Sequence, residues 1–108
     1  MLKIKKEVLF QKDYRIADDV SIFEYAISNM DEIDAAAPIA VVSVENSYME
    51  LNLSGAIIFE CIENKEDLNK ICSKFVKLFG LTNEKAKNSI TAFFSKLLDK
   101  GVVEEMED

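Results

Sequence analysis

Between Tyr48 and Ile62 the sequence reads YMELNLSGAIIFECI, and here the chain turns from strand to helix with almost no loop. A short β-prone run, Ser47 to Met49, leads into Leu51 and Asn52; Ser54 and Gly55 then open an apolar helix, Ala56 to Ile62. Side chains alternate along a strand, so Tyr48, Glu50 and Asn52 share one face and Met49, Leu51 and Leu53 the other. A one-residue slip would bury Glu50, so the register is well specified. Asn52 or Ser54 supplies the cap of a helix over about Gly55 to Glu63. Ile57, Ile58, Cys61 and Ile62 form its apolar stripe.

The flanking segments extend this unit on both sides. Ile39 to Val44 (IAVVSV) is a strand and the hairpin partner of Ser47–Leu51. Glu45 and Asn46 make the turn, where Asn tolerates positive φ. After the first helix, Asn64 is expected to cap a second, with Glu66 and Asp67 in its first turn, where carboxylates favour the helix dipole. Leu68, Ile71, Cys72, Phe75 and Phe79 repeat at three and four, and Gly80 fits the left-handed position that ends a helix. Thr82 caps a third helix, lined by Ala86, Ile90, Phe93, Phe94, Leu97 and Leu98 and closed by Gly101. Val102 and Val103 follow as a short strand or a cover for the core.

Before Pro38 the pattern is weaker. Glu7–Gln11 and Ser21–Ala26 both read as strands, the second with apolar groups on both faces. Asn29–Ala37 (NMDEIDAAA) is acidic and Ala-rich, a loop or short helical turn closed by Pro38. The order β-β-β-α-α-α indicates an α+β protein of the winged helix-turn-helix kind, a three-stranded antiparallel sheet followed by three helices. The 108 residues fit one domain, with a variable N-terminal strand and acidic loop (1–37) and an acidic, solubilising tail (104–108).

Composition excludes several functions. The formal charge is −7, from 13 Lys+Arg against 20 Asp+Glu, which disfavours nucleic acid and anionic membrane surfaces. No apolar run approaches the ~20 residues that span a bilayer, and no signal peptide is evident, so a cytoplasmic location is expected. Histidine is absent, which removes the usual general base, metal ligand and nucleophile partner. Cys61 and Cys72 form no close-spaced motif and read as reduced core thiols. Asp18-Asp19 and Asp31-Glu32 are paired carboxylates without a partner histidine or a glycine-rich phosphate loop, and read as solvated loop charges. No enzyme, metal or cofactor is expected.

Leu51, Asn52, Ser54, Gly55, Ala56 and Phe59 resemble the "LN-x-x-G" signature of the pyrroloquinoline-quinone biosynthesis protein D (PqqD) family, also known as the RiPP recognition element. Phe93, Phe94, Leu97, Leu98, Gly101, Val102 and Val103 resemble the family's closing helix and its Gly-hydrophobic-hydrophobic end. The resemblance spans about Ile39 to Glu105. One departure is that Ile57, Ile58 and Phe59 stand where the family often has a Trp. The resemblance implies a module that binds the leader of a ribosomally made precursor peptide and delivers it to a modifying enzyme, often a radical SAM enzyme. It implies that the leader adds as a strand beside the third strand and lies against the last helix. The residues support such a mode, because an open sheet edge captures extended peptides through main-chain bonds. The candidate peptide-binding residues are Ser47, Tyr48, Met49, Glu50 and Leu51 on the strand and Lys87, Ile90, Thr91 and Phe94 on the helix. Lys87 is placed to meet an acidic leader residue.

Two alternatives stand beside this. A winged helix suggests a DNA-binding regulator, but Arg15 is the only arginine and lies outside the helices that would enter a groove. A subunit that tethers a modifying enzyme without binding leader is the other. Exposed strand edges also permit an edge-paired dimer in place of a monomer.

Overall fold

The computed structural model describes residues 2–106. The elements are β1 (Leu2–Ile4), β2 (Leu9–Lys12), α1 (Ile22–Asn29), β3 (Ala40–Val44), β4 (Ser47–Leu51), α2 (Leu53–Glu63), α3 (Leu68–Phe79), α4 (Asn83–Lys100) and β5 (Val103–Glu105). The fold is α+β, with a three-stranded antiparallel sheet ahead of the helices α2 to α4. The chain forms two compact units: Glu7–Glu60 is one, and the segments on either side of that stretch form the other.

In the Glu7–Glu60 unit the sheet order is β2-β3-β4. Ala40 pairs with Leu51, Val42 with Met49 and Val44 with Ser47, so the hairpin loop is Glu45-Asn46. Glu45, not Asn46, takes the positive φ (52°). The inner face carries Ala40, Val42 and Leu51, all buried. Phe10 lies on that face as well and packs with its ring centroid 5.0 Å from that of Phe59, the planes tilted by 45°; Phe59 has no exposure. Burying a side chain of this size contributes about 1.5–3 kcal/mol. Helix α2 starts at Asn52, whose Oδ1 accepts from the Gly55 N–H (3.1 Å) and whose carbonyl accepts from the Ala56 N–H. Its residues Ala56 to Ile62 are all buried, so it is a core helix on every side and not merely striped.

One expectation fails here. Ser21–Ala26 is not a strand: Ser21 caps α1, its side chain accepting from the Glu24 N–H (3.0 Å), and Ile22 and Ala26, four residues apart, are buried together. The apolar groups at both parities suit a helix whose buried stripe is short, and the Ser cap decides between the two. The Ile22 N–H also donates to Glu60 Oε1 (2.8 Å), so a buried carboxylate satisfies an N-terminal donor of α1. Lys12 Nζ donates to the carbonyls of Val20 (2.8 Å), Asp18 and Ala17, which folds the loop before α1 over the sheet's own lysine. Asn29–Ala37 contributes the end of α1 and then turns and bends up to Pro38.

In the other unit β1 pairs antiparallel with β5, Leu2 opposite Glu105 and Ile4 opposite Val103. The expected acidic tail is therefore part strand: Glu104 and Glu105 belong to β5, and Lys3 pairs with Glu104 (3.2 Å). Glu107 and Asp108 lie outside the described residues. Helix α2 ends with Lys65 in the left-handed region (φ 59°), where the Glu66 N–H donates to the Cys61 carbonyl and the Lys65 N–H to Ile62, the paired bonds of a Schellman ending. That ending displaces the next helix start, so α3 is capped by Asp67, which accepts from the Lys70 N–H (2.9 Å), and not by Asn64. Gly80 and Gly101 end α3 and α4 at φ 67° and 74°, and Thr82 caps α4 as its sequence indicates. Lys74 bridges to Glu66 at 2.8 Å. Among the described residues no helix is long and apolar enough to cross a membrane.

Candidate functional site

β3 is the central strand, and among the described residues no strand pairs with the other edge of β4, its free edge. Which of its residues offer hydrogen bonds there follows from the ladder. The Asp13 N–H donates to the Ile39 carbonyl (2.8 Å), one step beyond the pair Lys12–Ala40. Backbone groups alternate sides along an antiparallel strand. Val41 and Ser43 therefore bond towards β2, and Ala40, Val42 and Val44 towards β4. Their partners Leu51, Met49 and Ser47 are engaged in the hairpin, as a two-residue loop requires of its closing pair. At the end of the ladder the Ile39 N–H swings across to the Leu51 carbonyl (2.8 Å). Tyr48 and Glu50 thus turn their N–H and C=O groups to the free edge. The strand has no Pro, and Glu50 is its one charge, so the usual protections of an edge are sparse.

The same register defines an outer sheet face. Leu9, Ser43 and Tyr48 form one cross-strand row, and Gln11, Val41 and Glu50 the next. Leu9 is 64 % and Tyr48 73 % exposed, two large apolar groups in one row with Ser43 between them. Glu50 is the only charged side chain in the two rows, and among the described residues it has no ion pair. Sequence reading missed Leu9, Gln11, Val41 and Ser43, because their place depends on the β2–β3 register, which no local motif encodes.

The helix residues are placed as follows. Lys87 and Thr91 are exposed on α4, Thr91 Oγ1 donating to the Lys87 carbonyl (2.9 Å). Ile90 has no exposure. Phe94 is half-buried and lines a recess of about 330 Å³ with Leu2, Ile62, Leu68, Glu66 and Asp67. In the Glu7–Glu60 unit, Arg15, Tyr25, Glu32, Asp34 and Pro38 line a separate recess of about 290 Å³, so the acidic segment builds a wall of its own. Arg15 pairs with Asp13 (2.8 Å), and its side-chain and backbone hydrogen bonds hold the Asp13 carboxyl below the usual range.

Nucleophilic chemistry finds no support in the thiols. Burial pushes the Cys61 thiol up to about 12, against the pull of Lys74, whose Nζ lies 3.7 Å from Sγ. A thiol this basic is protonated at neutral pH. Cys72 is buried, and both cysteines are free. Among the described residues no group of three or more Cys, Asp or Glu side chains is arranged to hold a metal.

Residues 39–103 match the family model described as Coenzyme PQQ synthesis protein D (PqqD). Among solved structures, "TbiB1 in Complex with the TbiA(beta) Leader Peptide" is similar in fold, with a TM-score of 0.66 and 16 % identity over 98 % of this chain and 99 % of that one. Among curated proteins no sequence matches significantly.

Proposed function

The chain belongs to the PqqD family, and from that premise we propose that it binds the leader region of a ribosomally synthesised precursor peptide by strand addition to the free edge of β4. The observation that carries this is the outward aim of the Tyr48 and Glu50 main-chain groups on an edge with little protection. An extended peptide satisfies those groups, and side chains then supply selectivity. The fold shared with TbiB1, described in complex with a leader peptide, supports the same reading. Exposed Lys87 and Thr91 and half-buried Phe94 are a second set of side chains offered to the peptide. Ile90, having no exposure, serves by positioning α4. The protein acts by recognition without catalysis, in the cytoplasm, and passes the peptide to a modifying enzyme, of the radical SAM class in this proposal. An edge-paired dimer would occupy the same groups, so the competent form is the monomer.

The test is titration of the fluorescently labelled leader of the protein's natural precursor peptide, followed by anisotropy. Binding near micromolar Kd, about −8 kcal/mol, is expected. No binding by folded, monomeric protein overturns the proposal and leaves enzyme tethering or nucleic-acid binding.

A further inference from the structure

Strand addition, on which this inference rests, extends the sheet by one strand and therefore extends its outer rows. We propose that the peptide is selected on the outer face of the sheet: a branched or aromatic residue continues the Leu9–Ser43–Tyr48 row, and a Lys or Arg two positions away continues the Gln11–Val41–Glu50 row.

Directly opposite side chains on neighbouring strands bring their Cβ atoms to ~4.5–5.5 Å, close enough for contact. The new strand's neighbour in the first row is Tyr48, 73 % exposed. Aromatic against aromatic or branched is the favoured pairing there. Leu9 stands two strands further in and gives the row its apolar character without touching the peptide. In the second row the neighbour is Glu50. Val41 and Gln11 beside it carry no charge, and the first row adds no cation. An incoming Lys or Arg meets an uncompensated carboxylate, whereas an Asp or Glu is repelled. The net charge of −7 attracts a cationic segment at longer range. Period-two alternation places both selected residues on the same face of the peptide, with the residue between them pointing to the other.

The experiment uses the full chain and the synthetic leader of its natural precursor peptide. Affinity is measured for wild type, Glu50→Lys and Asp19→Lys at low salt and at 1 M salt. Asp19 is an exposed loop residue, so the control makes the same change in net charge away from the face. Glu50→Lys is expected to weaken binding roughly fivefold or more at low salt and less than twofold at high salt, Asp19→Lys less than twofold at both. A leader with its Lys or Arg changed to Glu is expected to bind Glu50→Lys better than wild type. Equal losses in the two protein variants, or a bound segment without Lys or Arg at that position, overturn the inference. Amide exchange on wild type separates the two levels: protection of Tyr48 and Glu50 without a Glu50→Lys effect removes the side-chain selection alone, and no protection removes strand addition itself.

Discussion

Proline at two adjacent positions of β4 has opposite consequences. The Met49 N–H bonds across the hairpin to Val42, whose carbonyl sits in a residue only 1 % exposed. Met49→Pro removes that donor and leaves a buried acceptor unsatisfied, about 1–3 kcal/mol, and inserts a ring between paired strands. Against a domain stability of about 5–15 kcal/mol this is a large loss. The Glu50 N–H points away from β3, to the edge that no described strand pairs with, where a strand tolerates proline. Glu50→Pro is expected to change stability by about 0.5 kcal/mol or less, the range of ordinary surface substitutions. Its effect falls on the peptide. The Glu50 carboxylate is lost together with one main-chain bond, the bond alone about 0.5–1.5 kcal/mol, or up to tenfold in Kd. The ring also stands in the ~4.8 Å gap that a paired strand must enter, so a loss beyond tenfold is expected. Urea unfolding followed by circular dichroism gives the stability of each variant, and leader anisotropy gives the affinity. If Glu50→Pro unfolds the protein while Met49→Pro stays folded, the hydrogen bonds have the opposite phase and the assigned edge is wrong.

Phe94→Glu is expected to abolish leader binding with the helical circular dichroism retained; normal binding takes Phe94 out of the peptide site. Lys65→Gly relieves a left-handed backbone at the end of α2 and is expected to raise stability by about 0.5–1 kcal/mol in urea unfolding, with a fall in stability showing that the strain is absent. Cys61 should resist alkylation at pH 8 in the folded state and react on unfolding. Because its folded value is raised from 9.0 to about 12, the folded state holds the proton longer: the stabilisation is complete below pH ~9 and is lost as the pH climbs towards 12. A Cys61→Ala variant with an unchanged alkaline stability profile contradicts this.

Much of the fold is legible in the sequence wherever one local rule acts alone. The β3–β4 hairpin, the strand-to-helix passage at Asn52 and the glycine ends at Gly80 and Gly101 each follow from alternation, capping or positive φ. Errors arise where two rules compete. Ser21–Ala26 carries apolar groups at both parities, and only the Ser21 cap with the distant carboxylate of Glu60 settles it as helix. Asn64 is as good a cap as Asp67 until the turn at Lys65 is known. The strand half of the candidate site, Ser47–Leu51, is readable. Which of its residues face outward is not, since the phase comes from the Asp13–Ile39 bond and the register of β2, long-range facts absent from any local pattern. Helix periodicity likewise put Ile90 with Phe94, whereas the first has no exposure and the second lines a recess.

Amide hydrogen exchange at Tyr48 and Glu50, with and without the leader peptide, tests strand addition most directly. Both amides should exchange rapidly in the free protein and become protected when the leader binds. The outward amides of the opposite edge, Phe10 and Lys12, should not change. Protection at Phe10 and Lys12, or none at Tyr48 and Glu50 under saturating peptide, would contradict docking on β4.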